Sequence, residues 1–247
     1  KYPALNFFPK NSYLKPIIPL LICALIIISC SDAEEKIEKN IPEKEYLFSK
    51  LDPEFTGIKF INSVQNKEDF NIFRYRNFYN GAGVGIGDIN NDSLPDVYLT
   101  SNMGENKLFL NKGNFKFQDI TATSATGGKK AWSTGVTMVD INNDGFLDIY
   151  VSNAGEIEGE DRANELFINN GDLTFTEAAA SYNLDENGFT THAAFFDYDG
   201  DKDLDVYILN NSFIPVTSLG YTNKRDLRSD EWDLPEIFKG GGDKLLR

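Results

Sequence analysis

A nine-residue pattern of oxygen-bearing side chains occurs three times in this chain, as Asp88-Ile89-Asn90-Asn91-Asp92-Ser93-Leu94-Pro95-Asp96, Asp140-Ile141-Asn142-Asn143-Asp144-Gly145-Phe146-Leu147-Asp148 and Asp197-Tyr198-Asp199-Gly200-Asp201-Lys202-Asp203-Leu204-Asp205. Each copy puts oxygen side chains at loop positions 1, 3, 5 and 9: Asp88, Asn90, Asp92 and Asp96; Asp140, Asn142, Asp144 and Asp148; Asp197, Asp199, Asp201 and Asp205. A tight loop with this spacing aims the four groups at one point. Clustered carboxylates repel one another unless a cation lies between them, and an oxygen-only donor set selects a hard cation, Ca²⁺ before Mg²⁺. The main-chain carbonyl at position 7 (Leu94, Phe146, Asp203) is the expected fifth ligand. The expectation is therefore three structural calcium sites, the third carrying an extra carboxylate in Asp203. Asp and Asn are also ordinary turn formers, but three copies, each followed by an apolar run, favour the metal.

These loops are not EF-hands. An EF-hand has Gly at position 6 and a bidentate Glu at position 12, between two helices. Here position 6 is Ser93, Gly145 or Lys202, and position 12 is Leu99, Val151 or Ile208. The flanks Val97-Tyr98-Leu99, Ile149-Tyr150-Val151 and Val206-Tyr207-Ile208-Leu209 are β-branched and aromatic, so each loop is expected inside a β-hairpin. The loops begin 52 and then 57 residues apart, and a longer unit repeats around them over about 83–121, 135–178 and 192–247. Two of its further landmarks are Asn106-Lys107-Leu108-Phe109-Leu110-Asn111-Lys112-Gly113 and Asn164-Glu165-Leu166-Phe167-Ile168-Asn169-Asn170-Gly171. Asp243-Lys244-Leu245-Leu246-Arg247 opens a third. Short strands, Gly/Asn turns and a period near 50 describe an all-β protein of four-stranded antiparallel β-propeller blades, with the acidic loops between strands one and two. About three blades are expected in 51–247, an incomplete ring.

Over about residues 50–247 the sequence resembles the FG-GAP/VCBS repeat family, whose type fold is the integrin α-subunit propeller. It is similar in particular to bacterial proteins akin to cartilage acidic protein, which often carry an ASPIC/UnbV domain downstream. Phe55-Thr56-Gly57-Ile58, Asn77-Phe78-Tyr79-Asn80-Gly81, Gly85 to Asp92 and Asn106 to Gly113 carry the resemblance. It implies calcium at the loop positions named above, and it says little about the ligand. Ser93 and Pro95 in the first loop depart from the pattern of the second.

The N-terminal stretch has Lys10 and Lys15, an apolar run from Ile17 to Ile28, then Ser29-Cys30 and an immediate acidic turn. That is the pattern of an export signal over 1–29, and the run is shorter than the ~20 residues of a spanning helix. Apolar-apolar-Ser-Cys resembles a bacterial lipobox, which implies cleavage before Cys30 and its lipidation. Residues 30–50 then read as an acidic tether. The expected location is the cell envelope, lipid-anchored at the outer membrane and facing either the periplasm or the cell surface. The chain begins with Lys and stops inside a repeat, so a fragment is expected. Both cysteines, Cys23 and Cys30, precede the body, which excludes a thiolate metal site or thiol nucleophile there. The formal charge of −14, with eleven loop carboxylates, argues against nucleic-acid binding.

In an up-and-down blade the acidic loops share one face. The connections between strands two and three lie on the other, as do those leading into strand one. The former vary most in length, and the third, longest one holds Arg225, Arg228 and Trp232. The latter hold Tyr79-Asn80, Trp132 and His192. Aromatics beside amides are what a glycan or protein groove uses, although Trp132 and Tyr79 could equally pack the blade cores. The sequence offers no G-x-S-x-G, no H-E-x-x-H and only one His. The expectation is a non-catalytic, exported, calcium-binding scaffold for ligand binding or adhesion. The alternatives are a part of a polysaccharide-degrading enzyme and a docking subunit of an outer-membrane complex.

Overall fold

Apolar side chains alternate along short segments, and each segment pairs with its neighbour in sequence. In the computed structural model, residues 46–130, 132–155, 161–211 and 242–247 are described. The expected signal segment, Cys30, Arg225, Arg228 and Trp232 lie outside the described residues. β1 (Val84–Gly87), β2 (Asp96–Leu99), β3 (Lys107–Asn111) and β4 (Phe117–Asp119) form one antiparallel sheet in that order. β5 (Ser133–Val139), β6 (Asp148–Asn153), β7 (Glu165–Asn169) and β8 (Phe175–Glu177) form a second. β9 (Phe189–Phe196), β10 (Asp205–Asn211) and β11 (Lys244–Leu246) form a third, of three strands among the described residues. β1 packs beside β5 and β5 beside β9. The first strand of each sheet is thus innermost, and the sheets are successive blades of a β-propeller. The helical content among the described residues is limited to single turns such as Pro53–Thr56 and Thr121–Ser124.

Burial follows from blade position. The middle blade is covered on both sides, so all six residues of β6 are buried. β2 instead alternates between buried and half-buried positions. Between blades one and two, Ile89, Tyr98, Leu108 and Leu110 meet Val136, Ile149, Val151 and Phe167. Between blades two and three, Tyr150, Leu166 and Leu184 meet Ala193, Val206 and Ile208. Each such side chain contributes about 1.5–3 kcal/mol on burial. Val84 and Ile86 on one outer blade, and Tyr207, Leu209 and Leu245 on the other, stay exposed.

The repeated Asn-Lys/Glu-Leu landmark has a structural reason. Asn106 Oδ1 accepts from Ser101 N at 2.8 Å, Asn164 Oδ1 from Asn153 N at 2.8 Å, and Asp243 Oδ1 from Asn210 N at 2.9 Å. Each side chain ties the end of a blade's second strand to the start of its third. Glycine is required where inner strands converge. A Cβ on Gly83 would lie 2.6 Å from Thr134 O, and one on Gly135 would lie 2.5 Å from Thr191 O. His192 occupies the equivalent position of the third blade.

The inner strands of blades two and three start earlier than the repeat pattern predicts, at Ser133 and Phe189. Register irregularities between Ser133 and Val136 and between Leu209 and Asn210 allow this. They interrupt the two-residue alternation of the strands at these points. Above these strand starts sits an aromatic cluster of Phe70, Tyr75, Phe78, Trp132 and Phe189. The ring of Trp132 meets Phe70 edge-on at 4.9 Å and Tyr75 at 5.6 Å, with Phe78 at 5.2 Å.

Candidate metal centre and ligand face

All three acidic loops curl in the same way. Positions 4 and 6 have left-handed backbone in each: Asn91 and Ser93, Asn143 and Gly145, Gly200 and Lys202, with φ between 57° and 89°. Glycine takes this conformation freely and Asn tolerates it, whereas Ser93 and Lys202 hold it at a steric cost of about 1–2 kcal/mol each.

The carboxylate at position 1 closes the loop. Asp88 accepts from Asp92 N at 3.1 Å and Ser93 N at 2.7 Å. Asp140 accepts from Asp144 N at 3.0 Å and Gly145 N at 2.9 Å. Asp197 accepts from Gly200 N at 2.7 Å and Lys202 N at 3.1 Å. At position 3, the amides of Asn90 and Asn142 donate to Asp92 and Asp144 at 3.0 and 2.8 Å.

The carboxylate at position 9 opens the second strand and is buried in every copy. Asp96 Oδ2 accepts from Ile89 N at 3.0 Å and its Oδ1 from Asn111 N at 2.7 Å. Asp148 repeats this with Ile141 N at 3.0 Å and Asn169 N at 2.8 Å. Burial pushes both carboxyls above the ordinary carboxylate range, with two N–H donors opposing and the other loop aspartates adding to it. Asp205 Oδ2 accepts from Tyr198 N at 2.7 Å, and this side chain is likewise buried. Oxygens of Asp197, Asp199 and Asp205 lie within 4.8 Å of one another, a group of three that could hold a metal ion. The third loop is also the most charged. Asp203 shares a hydrogen bond with Asp201 that, with the charge of Asp201, raises its carboxyl above the usual range. Arg247 Nη2 bonds Asp199 Oδ2 at the rim.

The residues present fit a hard cation. Every side-chain donor is an oxygen and the carboxylates crowd one another, most closely in loop three, where those of Asp197, Asp199 and Asp205 converge. Asp88, Asn90, Asp92 and Asp96, with their counterparts in the other two loops, would hold it, and its charge would offset their repulsion.

On the opposite face, a cavity of about 260 Å³ opens among the starts of the three inner strands. Asn80, Trp132 and His192 line it, as the sequence suggested, together with Tyr75, Asn77 and Thr191. Trp132 is only 2% exposed, so its ring faces are spent on other aromatics. Tyr79 is exposed, does not line the cavity, and exchanges hydrogen bonds with Asn66 at 2.9 and 3.1 Å. Tyr75 was not singled out by the sequence. Burial pushes its hydroxyl up to about 12, with a hydrogen bond to Asn77 opposing. Nothing local marked it, because its cavity wall is assembled across blades.

Comparison with known proteins agrees with this geometry. A protein-family model for the FG-GAP-like repeat matches residues 88–151 and 156–208. Cartilage acidic protein 1 of Xenopus tropicalis is 30% identical over 134 residues, 54% of this chain and 20% of that protein. The Homo sapiens protein of the same name is 28% identical over 134 residues, with the same coverage. Integrin alpha-8 of Gallus gallus is 24% identical over 155 residues, 57% of this chain and 14% of that protein. The chain thus spans about a fifth or less of the length of the curated relatives it matches. The blades centred on the acidic loops match the FG-GAP-like repeat, and it is this repeat family that the chain resembles over residues 88–208.

Proposed function

We propose that this chain is a non-catalytic, calcium-stapled propeller scaffold that binds a protein ligand in adhesion, held at the cell envelope by a lipid on Cys30. The observation that supports the calcium reading is the convergence of Asp197, Asp199 and Asp205, whose oxygens lie within 4.8 Å of one another in a loop of oxygen donors. A cation there would turn binding energy into folding energy. A protein ligand is favoured over a glycan because the cavity suits one side chain, and Trp132 presents no free face for a sugar to stack on. The relatedness to cartilage acidic protein 1 and integrin alpha-8 supports a binding scaffold rather than an enzyme.

Removing calcium with a chelator is expected to lower Tm by about 3–6 °C, restored by calcium in excess. Scanning calorimetry with and without chelator decides it: coincident melts, with no calcium uptake on titration, would overturn the cation sites. The anchor has its own test. Cys30→Ser is expected to move the protein from the membrane to the soluble fraction of the expressing cells. A variant that still sediments with membranes would argue against lipidation at Cys30.

A further inference from the structure

Loops one and two are joined by hydrogen bonds across the blade boundary. Asn169, at the end of β7, is buried. Its backbone N–H donates to Asp148 Oδ1 at 2.8 Å, and its side-chain amide donates to Leu147 O at 3.1 Å, both in loop two. The same amide donates to Ile89 O of loop one at 2.8 Å. Gly171 N donates to Asn169 Oδ1 at 2.9 Å, which fixes the amide's orientation. Ile89 N in turn donates to Asp96 Oδ2 at 3.0 Å. A continuous run of bonds therefore links the position 9 carboxylates of the two loops: Asp96, the peptide groups flanking Ile89, Asn169, Asp148. A second bridge lies at the surface, where Asn91 Nδ2 of loop one donates to Gly145 O of loop two at 2.9 Å. The equivalent of Asn169 in blade one, Asn111, repeats the bonds within its own blade, its side chain donating to Pro95 O at 2.8 Å and accepting from Gly113 N at 2.9 Å.

We propose that loops one and two take up their cations as a coupled pair, with Asn169 and Asn91 as the coupling residues. This rests on the cation sites proposed above. A cation in either loop fixes that loop's backbone. Fixing loop one holds Ile89 O and Asn91 in place, and these are the groups that order Asn169 and Gly145 in loop two. The second cation then meets a loop whose ordering entropy is already spent, so it binds more tightly. Coupling of this kind is reciprocal and typically changes affinity at least about fivefold.

The test uses a parent variant, Asp197→Ala, in which the third loop is disabled, and calcium alone as the probe. Calorimetric titration of the calcium-stripped parent is expected to show two ions bound with a Hill coefficient well above one. Asn91→Gly keeps the left-handed backbone of this exposed position and removes only the bridge. It is expected to lower the second affinity about fivefold and to bring the Hill coefficient towards one. Asn169→Ala is expected to do the same more completely. If that variant does not fold, Asn91→Gly carries the test by itself. Two ions bound independently by the parent, or a Hill coefficient unmoved by Asn91→Gly, would overturn the coupling and leave the cation sites standing. Absence of any calcium uptake would overturn the sites themselves, and the coupling with them.

Discussion

Trp132→Ala is expected to destabilise the protein by about 3–5 kcal/mol, the range for emptying a large aromatic from a packed core. Trp132 is 2% exposed and touches Phe70, Tyr75 and Phe78. These three precede blade one, whereas Phe189 in the same cluster begins the inner strand of blade three. The ring thus ties three sequence-distant segments together, and edge-on aromatic pairs add about 0.5–1.5 kcal/mol beyond area alone. Its backbone is engaged as well: Trp132 N donates to Asn102 O at 3.0 Å, and its carbonyl accepts from Ala154 N at 3.0 Å. Those bonds survive substitution, so the loss reports on the ring. Urea denaturation followed by circular dichroism reads it as a fall in midpoint at unchanged slope. Trp132→Phe is expected to keep most of the stability. A loss below about 1 kcal/mol in the alanine variant would mean that the cluster is not a cohesive core and that the cavity wall is adaptable.

The acidic loops were legible in the sequence because one local segment holds every atom of the pattern. Spacing brought the oxygens of Asp197, Asp199 and Asp205 within 4.8 Å of one another, and the β-branched flanks announced strands on either side. The repeat of Asn106, Asn164 and Asp243 was legible as a landmark, but its reason, a staple from strand three back to strand two, needed the structure. Trp132 could not be placed, since a tryptophan beside serine looks the same in a groove as in a core. Its burial depends on Phe70 and Tyr75, some sixty residues away in the chain, and that segment has no repeat or period to read. Asn169 was equally opaque. In Asn169-Asn170-Gly171 it reads as a turn residue, and only the neighbouring blade shows that its amide reaches Ile89. Local chemistry was readable, while contacts between blades depend on how the sheets stack.

Asp148→Ala is expected to cost about 2–4 kcal/mol even in the presence of chelator, which separates the structural role of the position 9 carboxylate from any metal. Asp148 is wholly buried and supplies the acceptors for Ile141 N and Asn169 N. Alanine strands both N–H groups, at about 1–3 kcal/mol each, and the sum is reduced because a desolvated charge is removed at the same time. Asp148→Asn keeps one acceptor and is expected to recover about half. The pH dependence follows from the direction of the shift. Burial raises the Asp148 carboxyl above the ordinary range, so the folded state holds its proton more tightly than the unfolded state. Without metal, the contribution of this group is full below its unfolded pKa and is lost as pH rises through the folded value. The stability advantage of the parent over Asp148→Asn should therefore shrink from acid towards neutral pH in chelator. Calcium favours the ionised form, so at neutral pH excess calcium should widen that gap again. Melting curves of both proteins across this range, with chelator and with calcium, read the two trends. A gap that stays constant with pH in chelator would show that Asp148 does not hold its proton more tightly when folded, and a gap unmoved by calcium would show that its carboxylate takes no part in holding the ion.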